Sequence, residues 1–315
     1  MVDQDSKSIA GMSLKGGRKD QFFFCLLEYF EDQKRWFLKS LLQVRDEKDL
    51  DGDDAIRIWI DKFHLKQLVV DVPLSYPAYH EQTTVNLKKE KECVAKVRSK
   101  MQQLLDEDER RRVSNPKRYE QERNLDDIFD FHKDIMAKEP HVHILTRSFK
   151  RKLKKGFVPY WNRTIDFYIW MYYYDQLLDL FNVSYDSFGN TSLLNQFRFD
   201  YLRSHFPSSL ELFEGNYQIA LIELLRSGII QNKDIQGLSD LEEVVEARLD
   251  IIEKIEDALD IFIYDHDLEI LVKNPRAFES FILSVIGQNS QLGQNRKLPE
   301  WSLPDRTKFL IPHFS

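Results

Sequence analysis

Val69-Val70-Asp71-Val72-Pro73-Leu74-Ser75 is the stretch on which the fold turns. An apolar run that stops at an acid and then a proline reads as a strand holding a carboxylate at the rim of a sheet, since proline has no N–H to continue the ladder. Working outward, an earlier run opens Ser8-Ile9-Ala10-Gly11-Met12-Ser13. That run ends in Ser13 rather than in an acid.

Between these two runs the pattern is of hairpins. Strand one is read over Ser8 to Leu14, followed by a turn at Lys15-Gly16-Gly17-Arg18. A phenylalanine-rich strand covers Gln21 to Phe30, Asp32-Gln33 makes a turn, and a third strand runs from Arg35 to Val44. β-Rich runs parted by short polar or glycine turns are hairpin signals. The acids Asp51, Asp53 and Asp54 then precede a helix with Ile56, Trp59, Ile60 and Phe63 on one face, placed where the helix dipole favours negative charge. As a calcium loop this cluster fails, because its twelfth position is Lys62. The fourth strand is Gln67 to Val72.

Downstream the sequence turns helical. Thr84 to Arg112 is highly charged with a thin apolar stripe of Val94, Val97, Met101, Leu104 and Leu105, and Leu125 to Ala137 is a second helical stretch, with a break at Ser114-Asn115-Pro116. A tyrosine-rich helix from Arg163 to Phe181 reads as buried, its hydroxyls served by Asp166 or Asp175. A short strand, Leu210 to Phe213, ends in Glu214, and helices follow from Tyr217 to Gly228, Asp240 to Leu259, and Pro275 to Gly287, where the proline suits a first turn. Pro304 to Ser315 reads as a surface strand or arm. Three antiparallel strands, a helix, then strands each followed by helices spell an α/β protein with a mixed sheet. This is the order of an RNase H-like fold, expected as one domain over residues 1–315 with a helical insertion at about 85–137.

Several segments resemble one family. Ala10-Gly11-Met12-Ser13-Leu14-Lys15-Gly16-Gly17 is similar to an alanine-glycine-x-aspartate start with a glycine pair, and Asp71-Val72-Pro73-Leu74 to an "aspartate, apolar, proline" strand end. Val158 to Asp166 resembles a proline–aromatic–x–x–arginine segment containing Arg163. Glu211-Leu212-Phe213-Glu214 resembles a strand ending in glutamate, and Phe278-Glu279-Ser280-Phe281 a late helix with an acid near its start. Together they resemble the predicted RNase H-like nucleases known as domain of unknown function 429. The departures are Ser13 for the first-strand aspartate, Asn216 and Gln218 where a histidine and a second acid tend to follow Glu214, and Glu279 for an aspartate.

The resemblance implies a metal-dependent hydrolase of nucleic-acid phosphodiesters, in which Asp71, Glu214 and Glu279 are both catalytic residues and ligands of magnesium (or manganese). Such chemistry needs hard oxygen ligands around one or two ions that clamp the attacking and leaving oxygens, roughly 4 Å apart when there are two. Ser13 offers only a neutral oxygen, which weakens a two-metal site. The alternative is a catalytically degenerate scaffold that binds nucleic acid or protein. The basic run Arg147 to Lys155 includes Lys150, Arg151, Lys152, Lys154 and Lys155, which with Arg163 are candidate phosphate contacts, while Phe157, Tyr160 and Trp161 nearby could stack on bases. A solvated loop explains the same run.

Other patterns exclude more than they suggest. A net charge of −7 argues against a non-specific nucleic-acid binder. Cys25 and Cys93 lack CxxC partners, so neither a disulfide framework nor a cysteine zinc site is expected. No apolar run approaches a membrane span and no signal peptide is read, so no membrane partner is expected and the cytoplasm is the expected location. The triplets at Asn162, Asn182 and Asn190 then carry no weight. His141 and His143 share a strand face without a third ligand, and Asp265-His266-Asp267 reads as a polar turn. Phosphate-cradling glycine loops and nucleophile elbows are absent from the sequence.

Overall fold

The structure, a computed structural model, describes residues 7–14, 22–44, 51–75, 87–126, 150–151, 163–183, 193–298 and 308–314. In chain order the elements are β1 (Ser8–Ser13), β2 (Phe22–Phe30), β3 (Arg35–Val44), α1 (Gly52–Lys62), β4 (Gln67–Val70), α2 (Leu87–Ser114), α3 (Pro116–Asp126), α4 (Thr164–Phe181), α5 (Leu193–Ser204), β5 (Glu211–Glu214), α6 (Tyr217–Arg226), α7 (Asn232–Gly237), α8 (Val244–Leu259), β6 (Ile261–Phe262), α9 (Asp265–Lys273) and α10 (Pro275–Gln291). They fall into two compact units. One comprises Met1–Leu74, Thr191–Lys297 and Thr307–Ser315, the other Ser75–Asn190 and Leu298–Arg306. The insertion expected at about residues 85–137 falls inside the second unit, which reaches further in both directions.

The first unit is α/β. Its six strands form one mixed sheet in the order β5-β4-β1-β2-β3-β6. β1 pairs antiparallel with β2 and β2 with β3, whereas β1 with β4, β4 with β5 and β3 with β6 are parallel. From β1 the chain builds outward in one direction through β2 and β3, then resumes on β1's other side with β4 and β5. The reversal therefore lies between β1 and β4, and in open α/β sheets the crevice at the carboxyl ends of such strands is where ligands bind.

Both faces of the sheet are covered, and β1 and β4 are accordingly buried at every position. On one face Ala10, Met12, Phe24, Leu26, Leu68 and Val70 pack with Ile56 and Ile60 of α1 and Phe199 and Leu202 of α5. Each fully buried Val, Leu, Ile, Phe or Met side chain among them contributes about 1.5–3 kcal/mol of transfer free energy. α1 is started by Asp51, whose carboxylate accepts the Asp53 N–H at 2.9 Å, with Asp53 and Asp54 in its first turn. On the other face lies α10, buried from Ala277 to Asn289. Asn274 caps it and Pro275 occupies its first turn.

α10 approaches β1 unusually closely because small residues face each other. A Cβ at Gly11 would lie 2.2 Å from the Ser280 carbonyl oxygen and 2.3 Å from the Ser284 nitrogen, and one at Gly287 2.3 Å from Ile9 Cγ2. The Ser13 N–H donates to Ser280 Oγ at 3.1 Å, so the last β1 donor is satisfied by the helix. Cys25 sits beside Ser284, and burial pushes its thiol up to about 12, which makes it inert.

Three expectations are corrected here. Asp265-His266-Asp267 is not a turn but the first turn of α9, where Asp265 and Asp267 complement the helix dipole. Asp166 does not serve the tyrosines of α4. Both of its oxygens accept from the Arg163 guanidinium, at 2.8 and 3.1 Å. The amphipathic helix read from Asp240 begins instead at Val244. The strand expected to end at Phe30 is β2, Phe22–Phe30, and the break before Pro116 and the proline at the start of the late helix lie where expected. The second helical stretch to Ala137 lies mostly outside the described residues, as do His141, His143 and Lys15-Gly16-Gly17. Among the described residues no helix is long and apolar enough to cross a membrane.

Candidate functional site

The carboxyl ends of β1, β4 and β5 carry Ser13, Asp71 and Glu214. Asp71 is held where β4 stops. Its Oδ1 accepts the Leu14 N–H at 2.7 Å and its Oδ2 the Ser13 hydroxyl at 2.7 Å. Glu279 comes from the first turns of α10, and its Oε2 lies 2.8 Å from the same hydroxyl. The Arg276 guanidinium, one turn earlier, donates to that Oε2 at 2.7 Å. Glu214 accepts the Leu74 N–H at 3.1 Å, and Gly215 N–H is bonded to the Val70 carbonyl, which closes the chain after β4 against the end of β5. All four are buried: Ser13 at 0% exposure, Asp71 at 5%, Glu214 at 4% and Glu279 at 8%.

The expected site residues of the first unit are thus partly brought together. Asp71 and Glu279 converge on Ser13, while Glu214 is engaged by the Leu74 backbone. Asn216, one of the departures after Glu214, caps α6 by accepting the Gln218 and Ile219 N–H groups.

Proton counting at Ser13 has a consequence. A hydroxyl has one proton, yet Ser13 Oγ is within hydrogen-bond distance of two carboxyl groups. The cluster is fully satisfied when Glu279 is protonated, so that Glu279 donates to Ser13 and Ser13 to Asp71. The pKa of Glu279 moves in that direction: burial raises it above the ordinary glutamate value of 4.5, opposed by the Arg276 charge and hydrogen bond, helped by the Asp71 charge and opposed by the Ser13 hydrogen bond. A folded-state pKa above the unfolded one gives stability that is complete below about pH 4.5 and lost as pH rises through the folded value. Glu279→Gln is therefore expected to remove a fall in unfolding free energy between acidic and neutral pH. Urea denaturation of both proteins across that range checks it, and parallel wild-type and variant curves would refute it.

Three residues at this rim carry no sequence motif. Tyr217 opens α6, Arg276 opens α10 and Arg248 projects from α8. Burial raises the Tyr217 pKa, with Glu279 and Asp71 raising it further against Arg276 and Arg248. Burial lowers that of Arg248, against Glu279 and Tyr217. Arg276 could have been suspected from its i,i+3 spacing to Glu279.

Does this set suit a magnesium ion? Such an ion takes hard oxygen ligands in near-octahedral geometry, and a guanidinium that holds one of the carboxylates competes with it for that oxygen. Here both Asp71 oxygens accept protein hydrogen bonds, Glu279 is paired with a guanidinium, and Glu214 accepts a backbone N–H. Among the described residues no group of three or more His, Cys, Asp or Glu side chains is placed to hold a metal. As arranged, the residues do not fit the ion.

The expected phosphate contacts belong to the second unit. Arg163 is buried and closed onto Asp166 and the Ser75 hydroxyl, the latter at 3.2 Å. Lys150 is ion-paired with the buried Asp108, which also accepts the Tyr119 hydroxyl at 2.8 Å. These bonds hold both cations within the protein. Arg151 is exposed, and Lys152, Lys154 and Lys155 lie outside the described residues.

No family model, no curated protein and no solved structure matches the chain.

Proposed function

We propose that the chain is an RNase H-like scaffold that works by binding nucleic acid or protein, with the rim site closed by its own hydrogen bonds in place of a hydrolytic metal centre. The order of elements supports the scaffold: a three-strand antiparallel start, a helix, then strands ending in Asp71 and Glu214 and a late helix carrying Glu279. The observation that carries the loss of hydrolysis is Ser13. Its hydroxyl lies between Asp71 and Glu279, at 2.7 and 2.8 Å, where an acid would bring the charge that a metal requires. A neutral oxygen there, with the Arg276 guanidinium donating to Glu279, lowers the negative charge of the cluster and so weakens its pull on a cation.

The test is a phosphodiester cleavage assay with magnesium or manganese, on single- and double-stranded DNA and RNA, comparing wild type with Asp71→Asn. Both proteins are expected to be equally inactive. Metal-dependent turnover by wild type that disappears in Asp71→Asn would restore the hydrolase implied by the resemblance.

A further inference from the structure

A second surface lies at the end of the sheet away from the rim. The antiparallel register sets Glu28 against Ser8, at the other end of β1 from Ser13. Side chains alternate along a strand, and Phe24 and Leu26 pack with α1 and α5, so Phe30 lies further along that same face. There the sheet carries a continuous row of rings. Phe30 meets Phe37 at 5.0 Å between centroids, Phe37 meets Phe262 at 5.2 Å, and Phe262 meets Tyr264 edge-on at 5.0 Å. None of the four belongs to the cluster packed with α1 and α5. The three phenylalanines are half-buried and Tyr264 is 55% exposed. Apolar residues scattered singly over a surface need no explanation, whereas a contiguous patch with a polar rim marks an interaction site.

The charges around the rings decide what kind of partner fits. Arg35 lies over the Phe262 ring at 5.6 Å and Lys39 over the Phe30 ring at 5.0 Å. Both cations are answered inside the patch, Arg35 by Asp260 at 2.9 Å and Lys39 by Glu28 at 3.1 Å. A phosphate backbone laid along the row would meet a carboxylate for every cation, which disfavours nucleic acid there. Strand addition is disfavoured as well. β6 is the outermost strand, and its edge is occupied by side chains: the Arg35 guanidinium donates to the Ile261 carbonyl at 3.2 Å, and the Ile263 N–H donates to Glu256 at 2.9 Å. On β3, Lys39 is an extra residue between the pairs Leu26–Ser40 and Leu27–Leu38, a bulge of the kind that keeps an edge from pairing. What remains is the face itself, aromatic in the middle with one cation–carboxylate pair at each end of the row. Such a face complements itself. Two rows laid antiparallel about a twofold axis bring ring against ring, Lys39 of one copy near Asp260 of the other, and Arg35 near Glu28, an arrangement closed to a patch of single sign. We propose that Phe30, Phe37, Phe262 and Tyr264 are the centre of a docking surface through which two copies of this chain pair. The surface goes beyond the rim site and does not depend on whether the rim holds a metal.

Sedimentation velocity of the full chain across a concentration series tests this, with circular dichroism of each variant as the check on folding. Wild type is expected to pass from monomer to dimer as concentration rises. Phe262→Asp and Tyr264→Ser are each expected to weaken the dimer at least about tenfold, the scale of losing one aromatic anchor. Tyr264 is exposed, so Tyr264→Ser remains informative should Phe262→Asp not fold. Lys39→Glu, also at an exposed position, is expected to weaken the dimer by setting carboxylates against one another across the axis. A second arm measures fluorescence anisotropy of single-stranded DNA and RNA oligonucleotides with the same proteins. A wild type that stays monomeric at every concentration overturns the docking surface, as does a dimer unchanged in Tyr264→Ser and Lys39→Glu. Oligonucleotide binding that is lost in Tyr264→Ser also overturns it, by making the row a base-stacking platform. Each of these results leaves the closed rim standing, because that reading is tested by metal and cleavage assays at Asp71.

Discussion

Gly11→Ala is expected to destabilise the fold by about 3 kcal/mol or more, the upper end of the cost of overpacking a core. The added methyl would meet the Ser280 carbonyl oxygen at 2.2 Å and the Ser284 nitrogen at 2.3 Å. Both are backbone atoms of a buried helix, so no side chain can turn aside. Relief requires α10 to move off β1, which would open the Ser13 N–H to Ser280 contact and draw Glu279 away from the Ser13 hydroxyl. Against a typical total stability of about 5–15 kcal/mol, this is a large fraction. Urea denaturation checks it, and a loss below about 1 kcal/mol would mean that the helix is not seated on β1 as described. The same variant should also lose the Glu279-dependent pH behaviour, since packing and site share one helix.

Ser13→Asp is expected to have the second largest effect, in two parts. Without divalent ions it places a third carboxyl group against Asp71 and Glu279 at a position with no exposure. An uncompensated buried charge costs about 3–5 kcal/mol, and part of this is avoided only if the new group stays protonated. With magnesium or manganese, the same three acids become a ligand set, and the variant's stability should rise with metal concentration. A site at one hundred times its dissociation constant returns about 2.7 kcal/mol. Thermal unfolding with EDTA and with metal reads both parts. Wild type should show no such metal dependence. A variant as stable as wild type in EDTA would mean that position 13 is not enclosed by the two acids.

Much of the first unit is legible in the sequence, for identifiable reasons. β2 and β3 are apolar, aromatic-bearing runs and β4 a short apolar one, and Asp71 stands just before the proline at which a strand must end. β6 is only two residues long and exists because it pairs with Trp36 and Phe37, a tertiary cause with no local pattern. α5 is diluted by polar positions and declares itself only by burying Phe199 and Leu202 against the sheet. The pairing of Glu279 with Asp71 was readable as two acids in the right order, but the role of Ser13 was not. As a sequence letter it is a missing charge, and in the structure it is the hydroxyl that joins the two acids. Arg248 and Tyr217 had no readable signal, because a lone arginine on an amphipathic helix usually faces solvent.

The central claim is that the rim cluster closes on itself and holds no divalent cation. Manganese titration of the wild-type chain, followed by electron paramagnetic resonance of the free ion with Asp71→Asn alongside, tests it most directly. No saturable binding that distinguishes the two proteins is expected. A stoichiometric site present in wild type and abolished in Asp71→Asn would contradict the account.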